Sequence, residues 1–79
     1  MRAAEEARQV ETHLAAGEWS ELRALCHGLA GRAGMFGFFE LGAIALRVEQ
    51  VIEADATPEL IRLSGSELLA QLRDVAHER

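Results

Sequence analysis

Four runs of apolar residues, each spaced as one face of a helix, fill almost the whole chain, and the breaks between them span only a few residues. Side chains three and four apart stack on one side of an α-helix, whereas a half-buried strand alternates every second residue. The first run, about residues 2–16, carries Ala3, Ala7, Val10 and Leu14 and stops at Gly17. The second, about 18–36, carries Trp19, Leu22, Leu25, Cys26, Leu29, Ala33 and Phe36, with Gly37 as its C-terminal cap. The third, about 38–54, carries Leu41, Ile44, Ala45, Val48 and Ile52 and fades at Ala54-Asp55. Thr57-Pro58-Glu59 opens the fourth, about 58–76, as an N-cap, a first-turn proline and an acid at the positive helix end. Leu60, Ile61, Leu68, Leu72 and Val75 are its apolar positions. No stretch reads as a strand. Short connections make successive helices antiparallel neighbours, so the expected fold is all-α, an antiparallel up-down-up-down four-helix bundle forming one domain over residues 1–79.

Composition narrows what such a bundle does. With 49% apolar residues the chain is too hydrophobic for disorder, although 79 residues lie near the lower limit for an independent core. The net charge is −5, all eight Lys+Arg cations are arginine, and no basic stripe is present, which argues against nucleic-acid binding. Cys26 has no disulfide partner within the chain, and no Cys/His spacing resembles a zinc site. The first twenty residues mix Arg and Glu with Ala, against a signal peptide or a membrane span, so the cytoplasm is the expected location.

The second helix carries the specific information. At about 100° per residue, Leu22, Leu25, Leu29, Ala33 and Phe36 cluster on one side, and His27 lies roughly 140° from the middle of that stripe. The imidazole is therefore expected at the surface. Gly31 follows it by one turn and Gly34 by two, on the same side, while Gly28 is adjacent in sequence. Each glycine inside a helix costs about 1 kcal/mol relative to alanine. Close helix packing accounts for Gly28 in part. Gly31 and Gly34 lie away from the core, where missing side chains leave the histidine open to something large and flat.

The stretch His27-Gly28-Leu29-Ala30-Gly31-Arg32-Ala33-Gly34-Met35-Phe36-Gly37-Phe38 closely resembles the signature of histidine-containing phosphotransfer domains. That signature has a histidine, a glycine four residues later, and a small-residue run ending in Phe/Leu-Gly. Gly17-Glu18-Trp19 and Leu22 resemble the family's turn into its active-site helix, and Leu41 to Glu49 resembles the helix that follows. The resemblance implies a phosphorelay carrier without ATP-dependent kinase activity of its own. His27 would take a phosphoryl group from a receiver-domain aspartyl phosphate and pass it to another receiver. It implies no cofactor on this chain, magnesium on the partner receiver, and response-regulator receivers or a hybrid histidine kinase as partners of a monomer.

The family commonly carries a lysine three residues after the histidine, and this chain has Ala30 there, as some members have a small residue. Arg23, one turn before His27, is the candidate cation; Arg32 points elsewhere on the wheel. Glu49 matches a position that approaches the histidine in family members, which makes it either the partner orienting the imidazole or a solvated surface carboxylate. His13 and His77 lack the glycine context and read as ordinary surface residues. Trp19 is expected to anchor one end of the bundle, and Cys26 to act as a small core hydrophobe. Phe36, Phe38 and Phe39 read as core and helix-junction packing, Phe39 alternatively as the edge of a docking surface.

Other readings stay open. A kinase dimerisation domain would have an acid and soon a proline after its histidine, which His27 lacks. The phosphoacceptor domain of a chemotaxis-type kinase shares the fold and much of the motif. A pure interaction module of the same fold and a bundle unrelated to signalling are the remaining alternatives.

Overall fold

Four helices account for nearly all of the chain in the computed structural model, which describes residues 1–77: α1 Ala3–Ala16, α2 Trp19–Met35, α3 Phe39–Glu53 and α4 Pro58–His77. Each boundary falls within a residue of the position expected from the apolar spacing, and no strand occurs among the described residues.

The helix ends follow from local chemistry. Gly17 takes φ 68°, a left-handed conformation with little penalty for glycine, and the Glu18 N–H donates back to the His13 carbonyl at 3.0 Å. Gly37 plays the same part after α2 with φ 81°, while the Phe38 N–H donates to the Ala33 carbonyl at 2.8 Å. Thr57 caps α4, its Oγ1 accepting the Leu60 N–H at 3.2 Å, and Pro58 fills the first helical position, where no N–H is needed.

Contacts between helices form a closed ring, α1 on α2, α2 on α3, α3 on α4 and α4 on α1, with α2–α3 the most extensive. The core inside that ring is built from Val10, Leu22, Leu29, Val48, Leu68 and Leu72, all fully buried. Cys26 is buried among them, as its place on the apolar stripe implies. Trp19 is half-buried against the core at the start of α2, and the Arg62 guanidinium of α4 lies 5.2 Å above its ring, tying the two helices at that end.

Five residues depart from the packing expected of them. Phe36 is 56% exposed because the helix has ended there and the residue leaves the stripe that Ala33 still follows. Phe39 is 75% exposed, and Leu60 is 46% exposed, each in the first turn of its helix and turned off the buried face. Only Phe38 of the three phenylalanines packs partly against the core. His13 is half-buried rather than an ordinary surface residue, with Nδ1 2.8 Å from Glu18 Oε1 across the α1–α2 turn. Gly28 is not a helix–helix contact: a Cβ there would meet the Arg32 guanidinium of its own helix at 2.9 Å. The gap admits Arg32, which reaches across to α1 and pairs with buried Glu6 through two nitrogens at 2.7 to 3.2 Å.

Candidate functional site

His27 stands midway along α2 with its side chain 76% exposed, as the helical wheel predicts. His27 shares its side of the helix with the uncharged Ser20, Ala24, Gly31, Gly34 and Met35, and with Arg23 one turn before it. A Cβ added at Gly31 or Gly34 would meet nothing within 4 Å. The two glycines therefore fill no packing need, and their lack of side chains leaves the approach to the imidazole open. Phe39, Leu46 and Met35 add exposed apolar surface from the neighbouring turn and from α3.

The imidazole is held from the α3 side. Glu49 Oε2 lies 2.9 Å from His27 Nδ1, and the Glu49 side chain is only 9% exposed. Glu49 is therefore not a solvated surface carboxylate; it is buried within hydrogen-bond distance of the ring. A carboxylate accepts but does not donate, so in the neutral ring an Nδ1–H donating to it leaves the lone pair on Nε2. The ring thus has one nitrogen anchored on a buried acceptor and the other available for chemistry.

A second rung lies one turn along both helices, where Arg23 Nη1 is 3.7 Å from Glu53 Oε2. Helical side chains lean toward the N-terminus, so His27 leans over the turn that carries Arg23. Ala30, at the position where the family commonly has lysine, sits half-buried along the α2–α3 seam. Its carbonyl oxygen would be 3.3 Å from a Cβ at Gly42 of α3, a residue to which the apolar spacing assigned nothing. Along the seam the partners run in opposite order, 23 with 53, 27 with 49 and 30 with 42.

Cys26 offers no second nucleophile. Burial above all, then the nearby Glu49 and Glu6 carboxylates, pushes its thiol up to about 12. His77 is exposed at the last residue of α4 and belongs to no cluster of metal-ligating side chains; no group of three or more such residues occurs among the described residues. No helix there is long and apolar enough to cross a membrane.

A family model described as the Hpt domain matches residues 1–78 of the chain. Comparison with curated proteins and with solved structures found no match.

Proposed function

The chain belongs to the Hpt domain family, and on that premise we propose that His27 is the phosphoacceptor of this protein. Hpt domains are phosphocarriers of two-component relays rather than kinases. The observation that carries the assignment is the pairing of an exposed imidazole with a buried carboxylate, His27 Nδ1 at 2.9 Å from Glu49 Oε2, beside two glycines that face open space.

In the proposed reaction, the Nε2 lone pair attacks the phosphorus of an aspartyl phosphate on a receiver domain. The P–N bond forms as the P–O bond to the aspartyl carboxyl breaks, and the aspartate leaves as a carboxylate. The ring then carries phosphate on Nε2 and a proton on Nδ1, a positive charge that the Glu49 carboxylate offsets. Attack by an aspartate of a second receiver reverses these bonds and regenerates neutral His27. Positioning and charge compensation are what phosphoryl transfer chiefly requires, and a nucleophile on a rigid helix supplies the first. Magnesium belongs to the receiver in this scheme. Arg23 is the nearest candidate on this chain for a cation beside the phosphoryl oxygens, exchanging Glu53 for phosphate.

Gly31, Gly34 and Met35 after His27, with exposed Phe39 and Leu46 on α3, suit an apolar receiver face, while Arg23 lies one turn before the histidine. The reversed order of partners along α2–α3 and the short connections support an up-down-up-down bundle.

The test is transfer from magnesium-loaded, phosphorylated receiver domains to the wild-type protein beside His27→Gln. Acid-labile label on wild type alone is the expected result. Label that persists in His27→Gln would remove the assignment; binding of receivers without any label would favour an interaction module of the same fold.

A further inference from the structure

Gly42 differs from the other glycines near the site. Gly31 and Gly34 face open space, and Gly28 faces the tip of a flexible arginine. A Cβ at Gly42 would lie 3.3 Å from the Ala30 carbonyl oxygen, 3.7 Å from Ala33 Cβ and 3.8 Å from the Gly34 nitrogen. Two of those three atoms are α2 backbone, which cannot swing aside as a side-chain tip can. A Cβ at residue 42 therefore asks the α2 backbone to give by a few tenths of an ångström, and a larger side chain asks for more.

Gly42 and Glu49 are seven residues apart on α3, about two turns and so on the same face. That face also carries Glu53, and it is the face that meets α2. The imidazole is anchored through a single hydrogen bond from an exposed ring to a buried carboxylate, and such a bond weakens steeply once its length and alignment are lost. Helix spacing at the Gly42 contact is thus transmitted along a rigid element to the bond that orients His27.

We infer that Gly42 is a positioning residue for the phosphoacceptor, setting the α2–α3 spacing at which Glu49 reaches His27 Nδ1. The inference rests on the reading of His27 given above for its link to transfer, but the spacing itself is measured separately.

The experiment compares wild type, Gly42→Ala and Gly42→Leu by nitrogen NMR of the imidazole, thermal denaturation and phosphate transfer. The wild-type ring should hold its proton on Nδ1. The substitutions should move the ring toward the tautomer mixture of free imidazole, Leu more than Ala, with transfer slowing in the same order. Alanine improves helix propensity, so the Ala variant should show this shift without a fall in melting temperature. In a Glu49→Met background, where no acceptor remains, Gly42→Ala should leave the residual transfer rate within about twofold. Unchanged nitrogen shifts in folded Gly42→Ala would overturn the inference, and so would an equal loss of transfer with and without Glu49. Should Leu prevent folding, the Ala variant decides alone. Should wild type accept no label from any receiver, the reading of His27 fails, while the nitrogen shifts still decide the spacing.

Discussion

Glu49 is buried on α3 and His27 is exposed on α2, yet one hydrogen bond of 2.9 Å joins them. The asymmetry matters for the chemistry. Burial leaves the carboxylate few alternatives to the imidazole as a partner, and exposure leaves the other ring nitrogen within reach of a second protein. A hydrogen bond to a charged group is worth about 1.5–3 kcal/mol, enough to select one tautomer over the other.

Replacing Glu49 should therefore separate orientation from charge. Glu49→Gln retains an acceptor without the charge, whereas Glu49→Met retains only the shape. Loss of a charged hydrogen bond of that size corresponds to about 10- to 100-fold in rate, so transfer to Glu49→Met should fall within that range. Glu49→Gln should lie between it and wild type. Equal rates for all three would mean that Glu49 does not orient the nucleophile.

Gly31 should reveal the difference between helix stability and access. A methyl group there meets nothing within 4 Å, so Gly31→Ala should raise stability by up to about 1 kcal/mol and leave transfer intact. Gly31→Leu should fold equally well but fail to accept phosphate, because the larger side chain stands on the approach to His27. Thermal denaturation and transfer assays on the two variants check both halves. Rapid transfer to the leucine variant would mean that the receiver approaches from another side.

Much of this arrangement was legible in the apolar spacing. Val10, Leu22, Leu29, Leu68 and Leu72 lie on the predicted stripes and are fully buried, and His27 is exposed where the wheel places it. What the spacing could not show depends on how the helices are rotated against each other. Glu6 looks like one more first-turn acid, and only the docking of α1 on α2 makes it the buried partner of Arg32. Gly42 looks like a costly glycine in a helix until α2 is seen packed on it. Phe36, Phe39 and Leu60 escaped because wheels lose meaning within a turn of a helix end, where the backbone leaves its register. The link from Glu49 to His27 came from family resemblance, since a separation of 22 residues has no periodic signature.

Arg32 should matter more to stability than the other arginines. Its guanidinium is half-exposed, but the Glu6 carboxylate it holds is buried, so Arg32→Ala leaves that acceptor without its cation. Allowing for solvent at Arg32, the cost should be about 1–2 kcal/mol, against a few tenths for Arg8→Ala or Arg73→Ala, whose pairs are exposed at both ends. Replacing both partners, as in Glu6→Met with Arg32→Met, should recover most of the loss. Equal melting temperatures for Arg32→Ala and Arg73→Ala would refute the distinction.

Gly65 tests the α1–α4 contact in the same way. A Cβ there would stand 2.5 Å from Leu14 Cδ2 and 2.9 Å from Cδ1, closer than carbon atoms approach. Leu14 is itself buried, so its side chain must give up packing to retreat. Overpacking of this kind costs about 1–3 kcal/mol, which should outweigh the roughly 1 kcal/mol that alanine gains in helix propensity. Gly65→Ala should therefore lower the melting temperature, and adding Leu14→Val should restore part of it. A stabilised Gly65→Ala would show that α1 and α4 separate more readily than their packing implies.

Cys26 gives the chain a pH dependence that few other groups obscure. Burial raises its thiol from 9.0 to about 12 in the folded protein, with the Glu49 and Glu6 carboxylates adding to the effect. Below pH 9 the thiol is protonated in both folded and unfolded chains, and the linkage contributes nothing to the slope. Between 9.0 and about 12 the unfolded chain releases the proton while the folded one retains it, so the folded state binds more protons and stability falls as pH rises. The sequence has neither lysine nor tyrosine, the side chains that ordinarily titrate across that range. Urea denaturation at intervals from pH 8 to about 11 should show stability declining in wild type and a flatter profile in Cys26→Ala. The same burial should keep Cys26 inert to alkylating reagents near pH 8 until denaturant is added, since the thiolate is the reactive form. Rapid alkylation of the folded protein would show that α2 opens at the turn carrying Cys26 and His27.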